Sequence, residues 1–147
     1  MQVKDIMSQH LASCAPGANV EEAAALMVKS DCGAIPVIDP QTHKPIGVIT
    51  DRDIVARAVA KGQNPVSMKV DELMTMPITV VAPETSLEDC LAQMEHWQVR
   101  RMLVVDGQGT LCGIVSQADI ARSASEHATA GLVKDVSKPT GHASKLE

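Results

Sequence analysis

The sequence predicts a mixed α/β (α+β) protein in which one β-α-β-β-α unit occurs twice in tandem. A segment at residues 47–53 returns in similar form at residues 113–119. Each of these two segments stands near the end of a stretch of similar length. Both stretches begin with a Met-containing run, at residues 5–7 and 72–74. Between these landmarks both copies carry a helical apolar pattern followed by two short β-branched runs. We expect the two units to pack through their sheets about a pseudo-two-fold axis.

The alignment of the two copies fixes the predicted domain boundaries. Met7 aligns with Met74 and Val37 with Val104 at an offset of 67 residues, and one residue is lost in the turn after Asp106. From there the offset is 66, so the motif of one copy falls on the motif of the other. We therefore predict repeat 1 at residues 1–62, a linker at 63–69, repeat 2 at 70–126 and a flexible C-terminal tail at 127–147.

Local sequence signals predict the elements within each copy. Asn19-x-x-Glu22 and Ser86-x-x-Asp89 have the spacing of capping boxes, and each precedes a helical apolar stripe. β-branched runs and turn residues predict the strands. The remaining predicted elements are an extended piece at 11–14, hairpins that pair 34–38 with 46–49 and 102–105 with 111–115, and second helices at 51–61 and from 117 to about 125.

Composition narrows the function classes. The chain has 147 residues, of which 45% are hydrophobic, and it contains no Phe, no Tyr and one Trp. The core is therefore expected to be aliphatic and filled by methionine. A net charge of −5 without stacking aromatics argues against nucleic-acid binding. No apolar run approaches the roughly 20 residues of a membrane span and no signal-peptide pattern opens the chain, so we expect a cytoplasmic protein.

The cysteines and histidines form no recognisable metal-binding pattern. Each cysteine aligns with an apolar residue in the other copy, and the chain has no C-x-x-C pair. The five histidines are scattered at positions that the repeat does not relate. We therefore expect no metal site and predict that four thiols are buried as small hydrophobic groups: Cys14, Cys32, Cys90 and Cys112.

The repeated motif ends in two polar residues three positions apart, Thr50 and Asp53 in repeat 1 and Ser116 and Asp119 in repeat 2. Both pairs stand where a predicted strand meets a predicted helix. Ser/Thr-x-x-Asp at this place is a capping box, which satisfies amide groups at the helix start. The geometry also suits a ligand, because the carboxylate can accept both hydroxyls of a ribose while the hydroxyl and amides face a phosphate. Spacing alone leaves both alternatives open.

In its longer context the motif resembles the cystathionine-β-synthase (CBS) domain, and the chain resembles a CBS domain pair, or Bateman module. The resemblance rests on residues 32–39 with 47–53 in copy one and on residues 99–106 with 113–119 in copy two. It covers about residues 1–125. It implies a nucleotide site in the cleft between the repeats, where the aspartate holds the ribose diol and the Thr or Ser contacts ribose or phosphate.

The resemblance also implies the remaining walls of the site. Adenine would lie between aliphatic side chains of the hairpin and of the extended segment before the first helix. For the phosphate we expect Arg52 and Arg101, whose aligned partners in the other copy are alanines, so the two sites are predicted to be unequal. The expected walls are Ser13, Ala34, Ile35 and Pro36 in repeat 1 and Thr79, Val80, Met102 and Leu103 in repeat 2.

Together these features predict a regulatory module that senses adenosine-containing nucleotides and signals to a separate, unidentified partner protein. AMP is favoured over ADP and ATP because few cations are available for further phosphates, and S-adenosylmethionine and NAD(H) stay as alternatives. No cofactor is required beyond this regulatory ligand. We expect a homodimer whose contact uses exposed faces of the second helices: Ile54, Val55, Ala58, Val59 and Ile120.

Two other function classes compete with this prediction. A ligand-free structural or interaction scaffold that dimerises through its repeats would keep the polar pairs as helix caps alone. An enzyme is not expected, because the sequence offers no nucleophile–base pair, no paired carboxylates and no metal cluster. The four polar residues of the two motifs favour the sensor over the scaffold, since an empty pocket need not keep all of them.

Overall fold

The structure is a computed structural model that describes residues 1–9 and 11–134, with side chains described as far as residue 128. The described chain forms two compact units. One combines Met1–Gln9 with Val80–Val105 and the residues from Cys112 onward, and we call it the Asp119 unit. The other combines residues 11–79 with Asp106–Leu111, and we call it the Asp53 unit. The opening segment of each sequence repeat therefore belongs to the unit that holds the motif of the other repeat.

The Asp53 unit is built around a two-stranded antiparallel sheet. Strands β1 (Ala34–Ile38) and β2 (Pro45–Thr50) form the predicted hairpin, with Ile35 opposite Ile49. The predicted extended piece at 11–14 is reduced to one parallel bridge between Cys14 and Val37. The helices of this unit are α1 (Val20–Ser30), α2 (Asp51–Arg57) and α3 (Val70–Leu73).

The Asp119 unit contains a three-stranded sheet in the order β3-β4-β5. Strand β3 runs parallel to β4, with Val80 opposite Leu103. Its elements are β3 (Val80–Val81), α4 (Leu87–Trp97), β4 (Arg101–Val105), β5 (Leu111–Ser116) and α5 (Gln117–Lys134). Helices and small sheets thus alternate in both units, and the predicted α+β class is confirmed.

The starts of α1 and α4 agree only in part with the predicted caps. Ser86 is the N-cap of α4, and its Oγ accepts a hydrogen bond from the Asp89 amide at 3.1 Å. Asn19 is the N-cap of α1, but its side chain makes no capping bond. Its Oδ1 instead accepts a hydrogen bond from Lys69 Nζ at 3.0 Å. The predicted capping box with Glu22 is therefore wrong, because a residue distant in sequence competes for the Asn19 side chain.

Helix α2 is shorter than predicted. It ends at Arg57 rather than at residue 61, because Ala58 leaves helical geometry at φ −120° and ψ −67°. A 3-10 turn, Val59–Lys61, continues the segment. Gly62 then ends it in the left-handed region at φ +76°, which glycine adopts readily.

Helix α5 is longer than predicted. It runs to Lys134 rather than stopping near residue 125, since the chain beyond that point continues with alanines and other residues that tolerate a helix. Residue 127, where the flexible tail is predicted to begin, therefore falls inside α5. Residues 135–147 of that predicted tail lie outside the described residues.

Aliphatic and methionine side chains fill the interior of each unit, as the composition predicts. Met27 and Met74 belong to the core of the Asp53 unit, and Met94 and Met102 to that of the Asp119 unit. The flexible thioether chain adapts to irregular gaps, so it replaces the aromatic rings that this chain lacks.

The glycine of each repeated motif makes room for a methionine from an opening run. A Cβ added at Gly47 would lie 2.8 Å from Sδ of Met74, and one at Gly113 would lie 2.7 Å from Sδ of Met7. The Cβ at Gly113 would also lie 2.8 Å from the carbonyl oxygen of Ser8, whereas the nearest backbone atom at Gly47 is 3.2 Å away. Close approach of these segments therefore requires glycine at both positions.

The prediction of buried thiols is wrong for one cysteine. Cys90 is buried, Cys14 and Cys112 are partly buried, and Cys32 is exposed. Cys32 lies two residues after the end of α1, beyond a left-handed turn, and its thiol donates a hydrogen bond to the carbonyl oxygen of Ala34 at 3.6 Å. The aligned Val99 follows the same left-handed turn after α4 and is only half-buried, so an apolar aligned residue does not imply burial at this position.

We predict that Gly113→Ala destabilises the protein more than Gly47→Ala. At both positions the new methyl group meets a methionine sulfur, but at residue 113 it also lies 2.8 Å from a backbone oxygen, compared with 3.2 Å at residue 47. Overpacking of this kind costs about 1–3 kcal/mol, and urea unfolding measures it. Gly17→Ala is the matched control, because nothing lies within 4 Å of its added Cβ. Equal losses for all three variants would contradict the prediction.

The stability of the protein at high pH tests the burial of Cys14. Burial raises the pKa of this thiol from 9.0 to about 11, with a smaller contribution from the negative charge of Glu22. Since the raised pKa belongs to the folded state, the associated stabilisation is complete below pH 9 and is lost as pH rises towards 11. We expect the free energy of unfolding to fall more steeply over this range in the wild type than in Cys14→Ala. Identical slopes would show that the thiol is not buried.

Candidate functional site

In the Asp53 unit the repeated motif joins β2 to α2. The Asp53 amide donates to Thr50 Oγ1 at 3.0 Å, and the Thr50 amide donates to Asp53 Oδ2 at 3.0 Å. These reciprocal bonds form a complete capping box, as the spacing predicts. They also hold the carboxylate of Asp53 in one orientation at the helix start, where the aligned peptide dipoles favour negative charge.

Asp53 has further partners that the sequence analysis does not identify. The hydroxyl of Thr75 donates to both carboxylate oxygens, at 3.1 Å and 3.2 Å. Nε of Arg57 lies 3.8 Å from Oδ1 as an ion pair. The side chain of Asp53 is 11% exposed. Thr75 reaches Asp53 from 22 positions away, and no sequence pattern marks this contact.

In the Asp119 unit the motif joins β5 to α5 with the same geometry. The Asp119 amide donates to Ser116 Oγ at 3.0 Å, and the Ser116 amide donates to Asp119 Oδ2 at 2.9 Å. Arg122, one turn further along α5, forms an ion pair with Oδ1. The side chain of Asp119 is 22% exposed, twice the value for Asp53. Both carboxylates are thus positioned by capping, and capping leaves lone pairs that can accept other donors.

The predicted adenine walls of repeat 1 surround β1 and belong to the Asp53 unit. Ser13 is exposed and Ala34 is half-buried. Ile35 is fully buried in the core of the unit, and Pro36 is also buried. The carbonyl of Pro36 accepts a hydrogen bond from the Cys14 amide at 3.1 Å, which ties β1 to the extended segment. Ala34 and Ser13 therefore offer accessible side-chain surface here, whereas Ile35 packs in the core beneath them.

The predicted walls of repeat 2 are divided between the two units. Val80, Met102 and Leu103 belong to the Asp119 unit with Ser116 and Asp119. Val80 is 39% exposed, whereas Met102 and Leu103 are almost fully buried. The half-buried residue Thr79 ends the continuous stretch of the Asp53 unit.

The two arginines predicted to contact phosphate are exposed. Arg52 lies in the first turn of α2, and Arg101 is the first residue of β4. They belong to different units, Arg52 to that of Asp53 and Arg101 to that of Asp119. Among the described residues the ion pairs are those of Arg57 and Arg122, neither of which the sequence analysis selected.

Each unit also carries an apolar groove between its two main helices. The groove between α1 and α2 has a volume of about 660 Å³, and the groove between α4 and α5 has a volume of about 550 Å³. Neither groove is lined by Thr50, Asp53, Ser116 or Asp119. These grooves are therefore separate from the motif carboxylates, and they lie on the helix faces predicted to mediate dimerisation.

The predicted dimer face is partly wrong. Ala58 is fully buried in one core, and Ile120 is buried in the other. The predicted stripe includes the core-packing side at Ala58, and Ile120 lines the α4–α5 groove although it is largely buried. Val55 and Val59 are exposed, and Ile54 is half-buried on the wall of the α1–α2 groove.

Within the part of the chain that the structure describes, no three His, Cys, Asp or Glu side chains cluster as a metal site would require. Over the same residues, no helix combines the length and the apolar character needed to cross a bilayer.

The chain belongs to the CBS domain family. The family model matches it twice, at residues 3–60 and 70–126. The CBS domain-containing protein YhcV of Bacillus subtilis is 39% identical over 132 residues, which cover 88% of this chain and 89% of that protein. CBS domain pairs are generally regulatory rather than catalytic modules.

Similar solved structures hold adenosine compounds. The CBS domain pair of protein MJ0100, in complex with 5′-methylthioadenosine and S-adenosyl-L-methionine, has a TM-score of 0.77 at 26% identity and covers 86% of this chain and 98% of its own. The structure of CBSX2 in complex with AMP has a TM-score of 0.71 at 30% identity and covers 86% and 97%. These two CBS pairs thus bind small adenosine ligands, and their ligands differ.

Proposed function

We propose that this protein is a non-catalytic regulatory module that binds adenosine-containing nucleotides, AMP in preference to ADP and ATP, and signals to a partner protein in trans. The observation that carries the proposal is the pair of motif carboxylates, each fixed at a helix start by reciprocal hydrogen bonds. The adenosine ligands of similar CBS pairs support it. S-adenosylmethionine and NAD(H) are the alternative ligands.

The chemistry of the motif suits a ribose. An ionised carboxylate only accepts hydrogen bonds, so the two vicinal hydroxyls of a ribose are natural donors to it. Because each bond involves a charged acceptor, it is stronger than a bond between neutral groups. The motif hydroxyl, on Thr50 or Ser116, and the amides of the first helical turn then provide donors for ribose or phosphate oxygens.

The supply of cations favours a monophosphate. Each unit contributes one of the arginines predicted to contact phosphate, Arg52 or Arg101, and both are exposed. Further phosphates add negative charge that one arginine does not neutralise. AMP therefore fits this set of residues better than ADP or ATP, and the aliphatic side chains of Ala34 and Val80 provide apolar surface for adenine.

A ligand-free scaffold is the second candidate function. Both capping boxes are complete within the chain itself, so the polar residues already have a structural role. A scaffold of this kind would act through dimerisation alone. It differs from the sensor in one measurable respect, because adenine nucleotides would leave its stability unchanged.

We further propose that the protein is a cytoplasmic homodimer that uses the α1–α2 groove as its contact. Val28 on α1 is 83% exposed and Val55 on α2 is 59% exposed, and both line this groove. Two exposed valines beside a 660 Å³ apolar groove are costly to leave in water, so a second copy of the chain would gain by covering them.

The nucleotide proposal predicts that AMP stabilises the protein and that the ribose hydroxyls are required. A ligand at about 100 times its Kd adds roughly 2.7 kcal/mol to the free energy of unfolding, which a thermal melt detects as a shift of several degrees. We expect 2′-deoxy-AMP to bind at least roughly tenfold more weakly, because one hydrogen bond to a carboxylate is lost.

GMP is the matched control for the base, and ADP, ATP, S-adenosylmethionine and NADH complete the panel. An equal shift with AMP and 2′-deoxy-AMP would show that the carboxylates do not hold the ribose. Unchanged melting with every ligand would establish the scaffold instead.

The dimer proposal predicts that Val55→Glu converts a dimer into a monomer, because it places a charge in the apolar contact. Size-exclusion chromatography with light scattering measures the mass directly. Val66→Glu is the matched control, since Val66 is similarly exposed, at 52%, but lies outside the groove. A wild-type monomer, or equal effects of both variants, would refute this contact.

A further inference from the structure

The two motif carboxylates differ in the hydrogen-bond and ion-pair partners that they have within the chain. Asp53 accepts from the Thr50 amide, receives the Thr75 hydroxyl on both oxygens and lies beside Nε of Arg57. Asp119 accepts from the Ser116 amide and pairs with Arg122. The side chain of Arg122 is 62% exposed, and an exposed ion pair is worth little, so it can withdraw easily.

The residues that contact Asp53 also take part in hydrogen bonds of the backbone at the end of α3, at residues 73–75. Nη1 of Arg57 donates to the carbonyl oxygens of Leu73 and Met74 at 3.1 Å and 2.9 Å. Thr75 exchanges two backbone hydrogen bonds with Val48 of β2, at 2.8 Å and 3.2 Å. Asp53 therefore stands at the centre of a network that joins residues 73–75 to β2 and α2 of the same unit.

The corresponding positions of the Asp119 unit lack this network. Ser8 aligns with Thr75 and makes the same backbone exchange, with Ile114. Among the described contacts, however, its hydroxyl gives no hydrogen bond to Asp119. The residue aligned with Arg57 is Ser123, whose hydroxyl donates to Sδ of Met1 at 3.4 Å. The opening segment is thus held here by backbone pairing without help from the motif carboxylate.

We propose that the two motifs have divided roles: Asp53 is a structural staple for residues 73–75, and Asp119 is the carboxylate that binds ribose. The assignment of ribose to Asp119 rests on the proposed function. The structural role of Asp53 rests on the hydrogen bonds that Asp53 forms. A ribose at Asp53 would have to displace the Thr75 hydroxyl from a carboxylate that is 11% exposed. At Asp119 it would have to displace only a solvated arginine. The chain therefore binds one nucleotide at Asp119.

The staple is tested without ligand by thermal unfolding of Thr75→Val, which removes the hydroxyl and keeps the shape. We expect Tm to fall by about 3 °C or more, and the matched control Ser8→Ala to stay within about 1 °C. In an Asp53→Ala background Thr75→Val should have little further effect, because the two residues act through one contact. Additive losses, or equal effects of Thr75→Val and Ser8→Ala, would overturn the staple.

The ligand assignment is tested by calorimetric titration of AMP into the full chain. We expect one AMP per chain, roughly 100-fold weaker binding in Asp119→Asn, and an affinity within about threefold of wild type in Asp53→Asn. Two equal sites, or loss of binding in Asp53→Asn with retention in Asp119→Asn, would overturn the assignment. Absence of AMP binding in the wild type would refute the nucleotide role of Asp119, while the ligand-free melts would still decide the staple.

Discussion

The reciprocal hydrogen bonds between a hydroxyl residue and an aspartate at each strand-to-helix turn are the interaction on which the site depends. They satisfy amides that the first helical turn leaves without partners, and they fix the carboxylate at the positive end of the helix. A capping residue is usually expendable at a cost of about 1 kcal/mol. Here the cap also sets the direction of the carboxylate, so the proposed binding of ribose would use the same atoms as the cap.

The close contact between glycine and methionine is the second constraint. Met74 packs against Gly47 and Met7 against Gly113, so the opening run of one sequence repeat is seated on the motif of the other. The packing of Met74 on Gly47 also positions Thr75, because Thr75 comes directly after Met74 and is thereby brought to Asp53. The contact brings a hydroxyl residue to the motif in both units, but among the described contacts of these two residues only Thr75 forms a hydrogen bond with the motif carboxylate.

The repeat and the local patterns predict most of the architecture. β1 is found at the predicted residues 34–38, and both motif caps form as their spacing indicates. Two of the failures come from contacts between distant residues. Lys69 takes the Asn19 side chain away from its cap, and Thr75 reaches Asp53 across 22 positions. Alignment of the copies shows which residues correspond, but it does not show which side chains meet.

Side-chain carboxyl ¹³C shifts during titration with AMP test most directly whether the two aligned aspartates are chemically unequal. A carboxylate that gains two hydroxyl donors changes its shift, while one that keeps its partners does not. We predict that the Asp119 carboxyl resonance moves to saturation while that of Asp53 stays in place. Movement of the Asp53 resonance with a constant Asp119 resonance would contradict the division of roles.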